Sequence, residues 1–203
     1  MKVAGQEIKI LHGSRDLFFK HGIKSITMDE IAKHLNISKK TIYTFYKDKN
    51  LLVKLMVKSE LENEIEVLKV IRTTSENPIE EMLKIMAHLQ QFLRRFNPII
   101  FHDLQKYHVG AWEEFRSFQD KTLIGFVEEN LKKGIKLSLY RSKINVKILS
   151  RLRMAEVNFG FNPTQFPTSL FNPVEVQTEI FEHFLHGIVT LKGLSMIDMY
   201  KSK

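Results

Sequence analysis

The sequence of 203 residues contains no cysteine. Disulfide bonds, thiolate metal sites and a cysteine nucleophile are therefore excluded, and nothing indicates an oxidising compartment. The first residues have no apolar core of signal-peptide length. The longest uncharged stretch, residues 157–174, contains three prolines and is not a membrane span. We therefore expect a cytoplasmic protein that does not cross a membrane.

Proline is scarce: the chain has five, and all of them lie at or after residue 78. No run of β-branched residues shows a period of two, so we expect no strands. Between the helix-breaking positions apolar residues recur at helical spacing, which predicts an all-α protein. The predicted helices span residues 6–21, 28–35, 39–46, 49–72, 78–95, 98–108, 111–136, 145–160 and 174–199.

Acidic residues are in the minority, and the positive charge is unevenly distributed. The formal net charge is +8, and residues 1–60 hold twelve Lys and Arg against six Asp and Glu. Such a basic segment favours a polyanionic partner, either nucleic acid or an anionic membrane surface. An ordinary solvated lysine surface explains the charge equally well.

Residues 27–47 have the pattern of a helix-turn-helix. Thr27 and Glu30 have the spacing of a capping box, which predicts the start of a short helix. Asn36 follows where the chain must reverse, and asparagine tolerates a left-handed backbone. Ser38 then caps a second helix. Two short helices joined by such a turn form a helix-turn-helix.

The second helix separates an apolar face from a polar one. Its apolar residues, which we expect mainly in the core, are Ile42, Phe45 and Tyr46. Lys39, Lys40 and Thr41 occupy its first turn, the part of a recognition helix that reaches base edges in the major groove. Lysine can donate to guanine and threonine to a base or phosphate, whereas a tyrosine such as Tyr43 can reach phosphate or sugar. The N-terminal amides of both helices are further anion sites.

The joint spacing of these residues resembles the TetR (tetracycline-repressor) family of regulators. The residues that carry the resemblance are Ile10, Leu11, Leu17, Phe18, Gly22, Thr27, Ile31, Ala32, Ile37, Ser38, Lys39, Thr41, Ile42, Tyr43, Lys47, Lys49 and Leu52. Two positions depart from the family pattern: Asn36 replaces the usual turn glycine, and Lys40 replaces a small residue. The first departure is physically mild, whereas the second leaves the base preference open.

The DNA-contacting set combines the positions that the resemblance implies with the capping and flanking residues. The predicted set is Thr27, Ser38, Lys39, Lys40, Thr41, Tyr43, Thr44, Lys47 and Lys49. The resemblance also implies a DNA-binding domain over residues 1–50, followed by a helical bundle over residues 51–203 for ligand binding and dimerisation. A dimer of this kind would read an inverted-repeat operator. Release of DNA by a ligand, with the fourth helix transmitting the change, is the common family behaviour, and activation or a ligand-independent role stays open.

The C-terminal two-thirds are rich in phenylalanine, which more often indicates core than pocket. Aromatic residues with a few inward polar groups also suit a lipophilic ligand. We therefore hypothesise a cavity in which His102, Tyr107, Glu156 or Asn158 orient the ligand. Its predicted lining is Phe92, Phe96, His102, Tyr107, Trp112, Phe115, Met154, Glu156 and Asn158.

The last predicted helix has too much apolar width for one buried stripe, which implies a partner helix. By resemblance, the last two major helices of each subunit form a dimeric four-helix interface. The predicted interface residues are Phe181, Phe184, Leu185 and Ile188.

Enzymatic and metal-binding functions find little support. The eight histidines include a pair at one-turn spacing, yet the chain contains no HExxH motif. It also lacks GxGxxG, a Walker A loop and GxSxG. We predict a regulator without catalytic activity, cofactor or metal. The alternatives left open are an all-helical enzyme or binding module with an incidental helix-turn-helix, and an amphipathic membrane-surface protein.

Overall fold

The computed structural model describes residues 2–95, 97 and 99–202. Helices dominate this part of the chain and no strand occurs in it, which confirms the predicted all-α fold. The helices are α1 (Lys2–His21), α2 (Met28–Leu35), α3 (Lys39–Phe45), α4 (Lys49–Thr74), α5 (Pro78–Arg95), α6 (Ile99–Tyr107), α7 (Val109–Phe118), α8 (Ile124–Lys136), α9 (Val146–Gly160), α10 (Pro173–Ile188) and α11 (Leu191–Lys201), and a π-helical turn (Gln119–Leu123) joins α7 to α8.

The prediction of a single last helix over residues 174–199 is wrong. Val189 is extended and forms an isolated antiparallel bridge with Tyr140. Thr190 then caps α11, since its side-chain oxygen accepts from the backbone N–H of Gly193 at 3.2 Å. The bridge and the cap together interrupt the helix.

The described residues divide into two compact units. The first unit comprises the chain up to Glu64 together with Arg95–Ser117. The second unit comprises Ile65–Arg94 and the chain from Phe118 onward. The first unit therefore contains α1 to α3, the start of α4, α6 and nearly all of α7. The functional division at residue 50 concerns DNA and ligand binding and stays a prediction.

The core of the first unit is apolar and places α2 against α1. Ile10, Phe18 and Ile31 have no exposed side-chain surface. Complete burial of such a side chain contributes roughly 1.5–3 kcal/mol. Gly13 permits the close approach of the two helices, because a Cβ atom at this position would collide with the Leu35 side chain.

The core of the second unit contains all four residues that the sequence predicted for the dimer interface. Phe181, Phe184, Leu185 and Ile188 are each at most 4% exposed and pack with residues of α5, α8 and α11. The apolar width of α10 is therefore covered within the chain itself. A dimer would have to use other side chains.

Two further observations concern membrane-spanning helices and metal sites. None of the helices in the described part of the chain is long and apolar enough to cross a membrane. Within the same residues, no three His, Asp or Glu side chains come together as a metal site requires.

Candidate nucleic-acid interface

The first helix of the predicted helix-turn-helix begins with the expected capping box. The Thr27 hydroxyl accepts from the Glu30 amide at 3.2 Å, and the Glu30 carboxylate accepts from the Thr27 amide at 2.6 Å. Hydrogen bonds from Thr27 lower the pKa of Glu30; the bond from the Thr27 amide contributes most, and the bond from its hydroxyl contributes less. The capping box fixes the start of α2 and confirms the sequence-based prediction.

The turn between α2 and α3 depends on one left-handed residue. Asn36 has φ 54° and ψ 46°, and its amide donates to carbonyls of the last turn of α2. Asparagine adopts this conformation at little cost compared with other non-glycine residues. Asn36 therefore performs the predicted role of the family's turn glycine.

Ser38 caps α3 as predicted. Its hydroxyl accepts from the Thr41 amide at 3.0 Å and lies 2.8 Å from the Thr41 hydroxyl. The buried face of α3 also agrees with the prediction, because Ile42 is fully buried and Phe45 is half-buried. Tyr46, just after the helix, is 1% exposed and donates to the Glu7 carbonyl at 3.1 Å. Burial raises the pKa of this tyrosine to about 12.

The opposite face of α3 presents cationic and aromatic groups to solvent. Lys40 and Tyr43 are exposed, and so is Lys47, two residues after the end of α3. Lys39 is also exposed, but its ammonium group donates to the Asp29 carboxylate at 2.7 Å, which raises the pKa of Lys39. A phosphate or base must therefore compete with Asp29 for this lysine, a contact between α2 and α3 that the sequence did not indicate.

Two further predicted contact residues, Thr44 and Lys49, are also engaged within the chain. The Thr44 hydroxyl donates to the Lys40 carbonyl at 3.0 Å. Lys49 is half-buried, and its ammonium group donates to the Ile23 carbonyl at 2.5 Å. Burial lowers the pKa of Lys49, although the Asp103 carboxylate opposes that shift. Lys49 thus holds the loop before α2 in this structure, and its phosphate contact stays a prediction.

Helices α6 and α7 complete the first unit. The buried Asp103 accepts from the Lys24 amide at 2.8 Å. His108 lies 2.7 Å from the Asn50 side-chain oxygen, and burial lowers its pKa. Lys54 and Glu114 form a further ion pair at 3.3 Å. These contacts tie distant segments to the loop before α2 and to the start of α4.

Part of the first unit matches a known protein family. Residues 10–56 match the family described as bacterial regulatory proteins, tetR family. The helix-turn-helix segment of the chain is therefore similar to that of the TetR family. This regulator is 25% identical over 173 residues to YvaF, an HTH-type transcriptional regulator of Bacillus subtilis (strain 168), covering 81% of the chain and 86% of the relative. The same organism's HTH-type regulator YhgD is 26% identical over 138 residues, covering 63% and 68%.

Solved structures show the same fold. A TetR-family regulator from Agrobacterium tumefaciens superposes with a TM-score of 0.75 at 14% identity and covers 93% of this chain and 100% of that one. FadR from Bacillus subtilis, solved with stearoyl-CoA, gives 0.70 at 14% identity and covers 89% and 98%. The family match supports DNA-binding transcriptional regulation over the helical enzyme or binding module that the sequence left open.

The predicted ligand-pocket residues fall in both units. In the first unit His102 and Tyr107 are 44% and 38% exposed, and Tyr107 lies beneath the Lys24 and Lys106 ammonium groups. Trp112 and Phe115 stack with ring centroids 5.4 Å apart. Within this unit, His102 and Tyr107 therefore lie at the surface rather than in an enclosed pocket.

In the second unit Phe92, Met154 and Glu156 are half-buried, whereas Asn158 is exposed. The Asn158 amide pairs reciprocally with Gln119 at 2.8 and 3.3 Å. Phe96 lies outside the described residues. The cavity itself stays a prediction.

Proposed function

We propose that this regulator is a repressor that binds an inverted-repeat operator as a homodimer and is released by a small lipophilic ligand. The observation that supports DNA reading is the exposed face of α3, where Lys39, Lys40 and Tyr43 project from a helix whose other face is buried, and the exposed Lys47 follows two residues after its end. Lys40 has the position for a base contact, and Lys47 for a phosphate contact. The predicted contacts of Thr27, Ser38, Thr41, Thr44 and Lys49 belong to this proposal.

The second unit offers an apolar surface for dimerisation that differs from the predicted one. Ile148, Leu152, Ala155 and Phe159 are exposed and follow one another along α9 at steps of four, three and four residues. Such steps place them on one face of the helix. Cover by a second copy would remove this stripe from water and give the two-fold symmetry that an inverted repeat requires.

The ligand part of the proposal rests on relatives with the same fold. FadR of Bacillus subtilis was solved with stearoyl-CoA, and FadR of Thermus thermophilus, with a TM-score of 0.60, was solved with lauroyl-CoA. A ligand that binds better to the form with misplaced recognition helices lowers operator affinity. Helix α4 belongs to the first unit up to Glu64 and to the second from Ile65, so it is continuous between the two.

Selection of the full chain on random duplex DNA tests the proposal. We expect an inverted repeat whose half-sites are about one helical turn, 34 Å, apart. The Lys39→Ala/Lys40→Ala double variant should bind the selected site more weakly and with altered base preference. Lys133→Ala/Lys136→Ala, which removes two exposed lysines of α8, is the matched control. Selection without any enriched sequence, or unchanged binding by the α3 variant, would refute DNA reading by α3.

A further inference from the structure

The inner face of α9 contains a buried positive charge. The Arg153 side chain is 6% exposed, and its guanidinium lies 5.4 Å from the Phe181 ring centroid and 5.7 Å from that of Phe184. Arginine is almost never this deeply buried unless it is paired. Cation–π contact with two rings compensates for only part of the lost hydration.

The carboxylate next to Arg153 does not complete the pairing. Glu156 Oε2 lies 3.6 Å from Arg153 Nη1, beyond hydrogen-bonding distance. Among the residues that the structure describes, neither of these two buried atoms has a hydrogen-bond partner. Burial lowers the pKa of Arg153 and raises that of Glu156. Arg153 Nη1 is thus a buried donor that forms a long ion pair with Glu156 but no hydrogen bond within the described residues.

The neighbouring turn of α10 adds an oriented amide. Gln177 is fully buried, and its Nε2 donates to the Val157 carbonyl at 2.9 Å. Gly160 permits this approach, because a Cβ atom there would stand 2.5 Å from Gln177 Nε2. Within the described part of the chain, Gln177 Oε1 also lacks a hydrogen-bond partner. Val157 is one turn after Arg153, and Gln177 is one turn before Phe181, so both polar groups belong to the same α9–α10 contact.

The geometry points to this cluster as a binding site for the carboxylate of an apolar acid, with Arg153 as the group that contacts it. A guanidinium presents a planar fork of donors that matches a carboxylate, and the match is stronger in a buried site. The aromatic rings around Arg153 suit an apolar body next to that head group. A dianionic phosphate fits less well, because Glu156 lies beside the guanidinium and repels two negative charges more strongly than one.

This inference rests on the proposed function, because a carboxylate bound at Arg153 regulates DNA binding only if a ligand controls the repressor. It adds the chemical class of that ligand. The site itself can be tested without DNA. The probes are hexanoate, laurate and phenylacetate, each paired with its primary alcohol, and the measurement is calorimetric titration of the full chain below micellar concentrations. We expect at least one carboxylate to bind, and its alcohol to bind at least tenfold more weakly.

Arg153→Met is the decisive variant. Arg153→Met leaves Glu156 without its ion-pair partner, which destabilises the folded chain, so circular dichroism first checks that the variant folds. It should bind the carboxylate at least tenfold more weakly than the wild type. Arg151→Gln, an exposed arginine of the same helix, should leave the affinity unchanged. Equal carboxylate binding by Arg153→Met, or no binding of any carboxylate to the wild type, would overturn the assignment.

Glu156→Gln supplies a second test that does not depend on the folding of Arg153→Met. The variant removes the competing negative charge and keeps a hydrogen-bonding amide, so we expect carboxylate affinity to be equal or higher. A tenfold fall in affinity would contradict the assignment, because the carboxylate of Glu156 would then be needed for binding.

Release of DNA separates this inference from the proposed function. If the carboxylate binds through Arg153 but leaves operator affinity unchanged, the site stands and ligand-controlled repression fails. If a neutral ligand releases DNA equally well from the wild type and from Arg153→Met, ligand control stands and the carboxylate site fails.

Discussion

The positively charged side chains proposed for recognition differ in their exposure: those of the first unit face solvent, and Arg153 of the second unit is buried. In the first unit Lys40, on α3, and Lys47, just after it, are exposed to solvent, where salt screens their field. In the second unit Arg153 lies against aromatic rings with its charge incompletely paired. Exposed lysines suit a long polyanion that offers many equivalent phosphates, whereas a buried guanidinium selects one shaped anion. On the proposals above, the two placements would serve recognition of two different kinds of anion.

The largest expected effect is a difference between the Lys40→Ala and Lys47→Ala variants in their affinity for operator and for random DNA. A base contact contributes about 1–3 kcal/mol of discrimination, and a dimer makes it twice. We therefore expect Lys40→Ala to weaken operator binding about 100-fold while binding to random DNA changes little. Lys47→Ala should weaken both and lower the salt dependence by about one charge per subunit.

Titration of both variants against operator and random duplexes at several salt concentrations measures these effects. The exposed Lys133→Ala of α8 is the single-site control. Equal loss on both DNAs for Lys40→Ala would show that Lys40 contacts phosphate rather than a base.

A second effect concerns Asp103, which is buried in the first unit yet far in sequence from α2. Asp103→Ala would remove the partly buried hydrogen bond that the Lys24 amide donates to a carboxylate, and hydrogen bonds to charged groups contribute roughly 1.5–3 kcal/mol. We expect a loss of this size in the free energy of unfolding, together with weaker operator binding. Denaturant unfolding monitored by circular dichroism checks the first expectation. His102 is exposed and directly precedes Asp103. The control variant His102→Ala should change the free energy of unfolding by less than about 0.5 kcal/mol.

Asp103 also marks the limit of what the sequence could predict. The capping box at Thr27, the turn at Asn36 and the cap at Ser38 are contacts within a few residues, and all three were predicted correctly. The contact of Asp103 with Lys24 joins segments 79 residues apart, and no periodicity reports such a pairing.

The C-terminal errors have the same cause. The break after Ile188 depends on a bridge between Val189 and Tyr140, which a helical pattern in one segment cannot reveal. The wide apolar face of α10 was interpreted as a dimer surface, but residues of three other helices cover Phe181 and Leu185 within the chain. Pattern alone indicates that a face is covered and does not say by which element.

A third prediction concerns the backbone of the turn between α2 and α3. Because Asn36 has a left-handed conformation, Asn36→Ala should destabilise the protein by about 1 kcal/mol, whereas Asn36→Gly should be nearly neutral. Thermal or denaturant unfolding of the two variants side by side measures the difference. Equal destabilisation by alanine and glycine would mean that the asparagine side chain, rather than the backbone conformation, stabilises the turn.

The smallest expected effect is a pH dependence at the start of α2. Hydrogen bonds from Thr27 lower the pKa of Glu30 in the folded chain, so ionised Glu30 stabilises the folded state above the unfolded pKa of about 4.3. That contribution should be lost as the pH falls through the lowered folded pKa. Glu30→Gln should therefore be less stable than the wild type at neutral pH, and the difference should shrink progressively below pH ~4. Denaturant unfolding at pH 7, 5, 4 and 3 measures it, with the exposed Glu113→Gln as the control. A difference that stays constant over this range would mean that the carboxylate charge is not what stabilises the cap, because a neutral acid would then serve equally well.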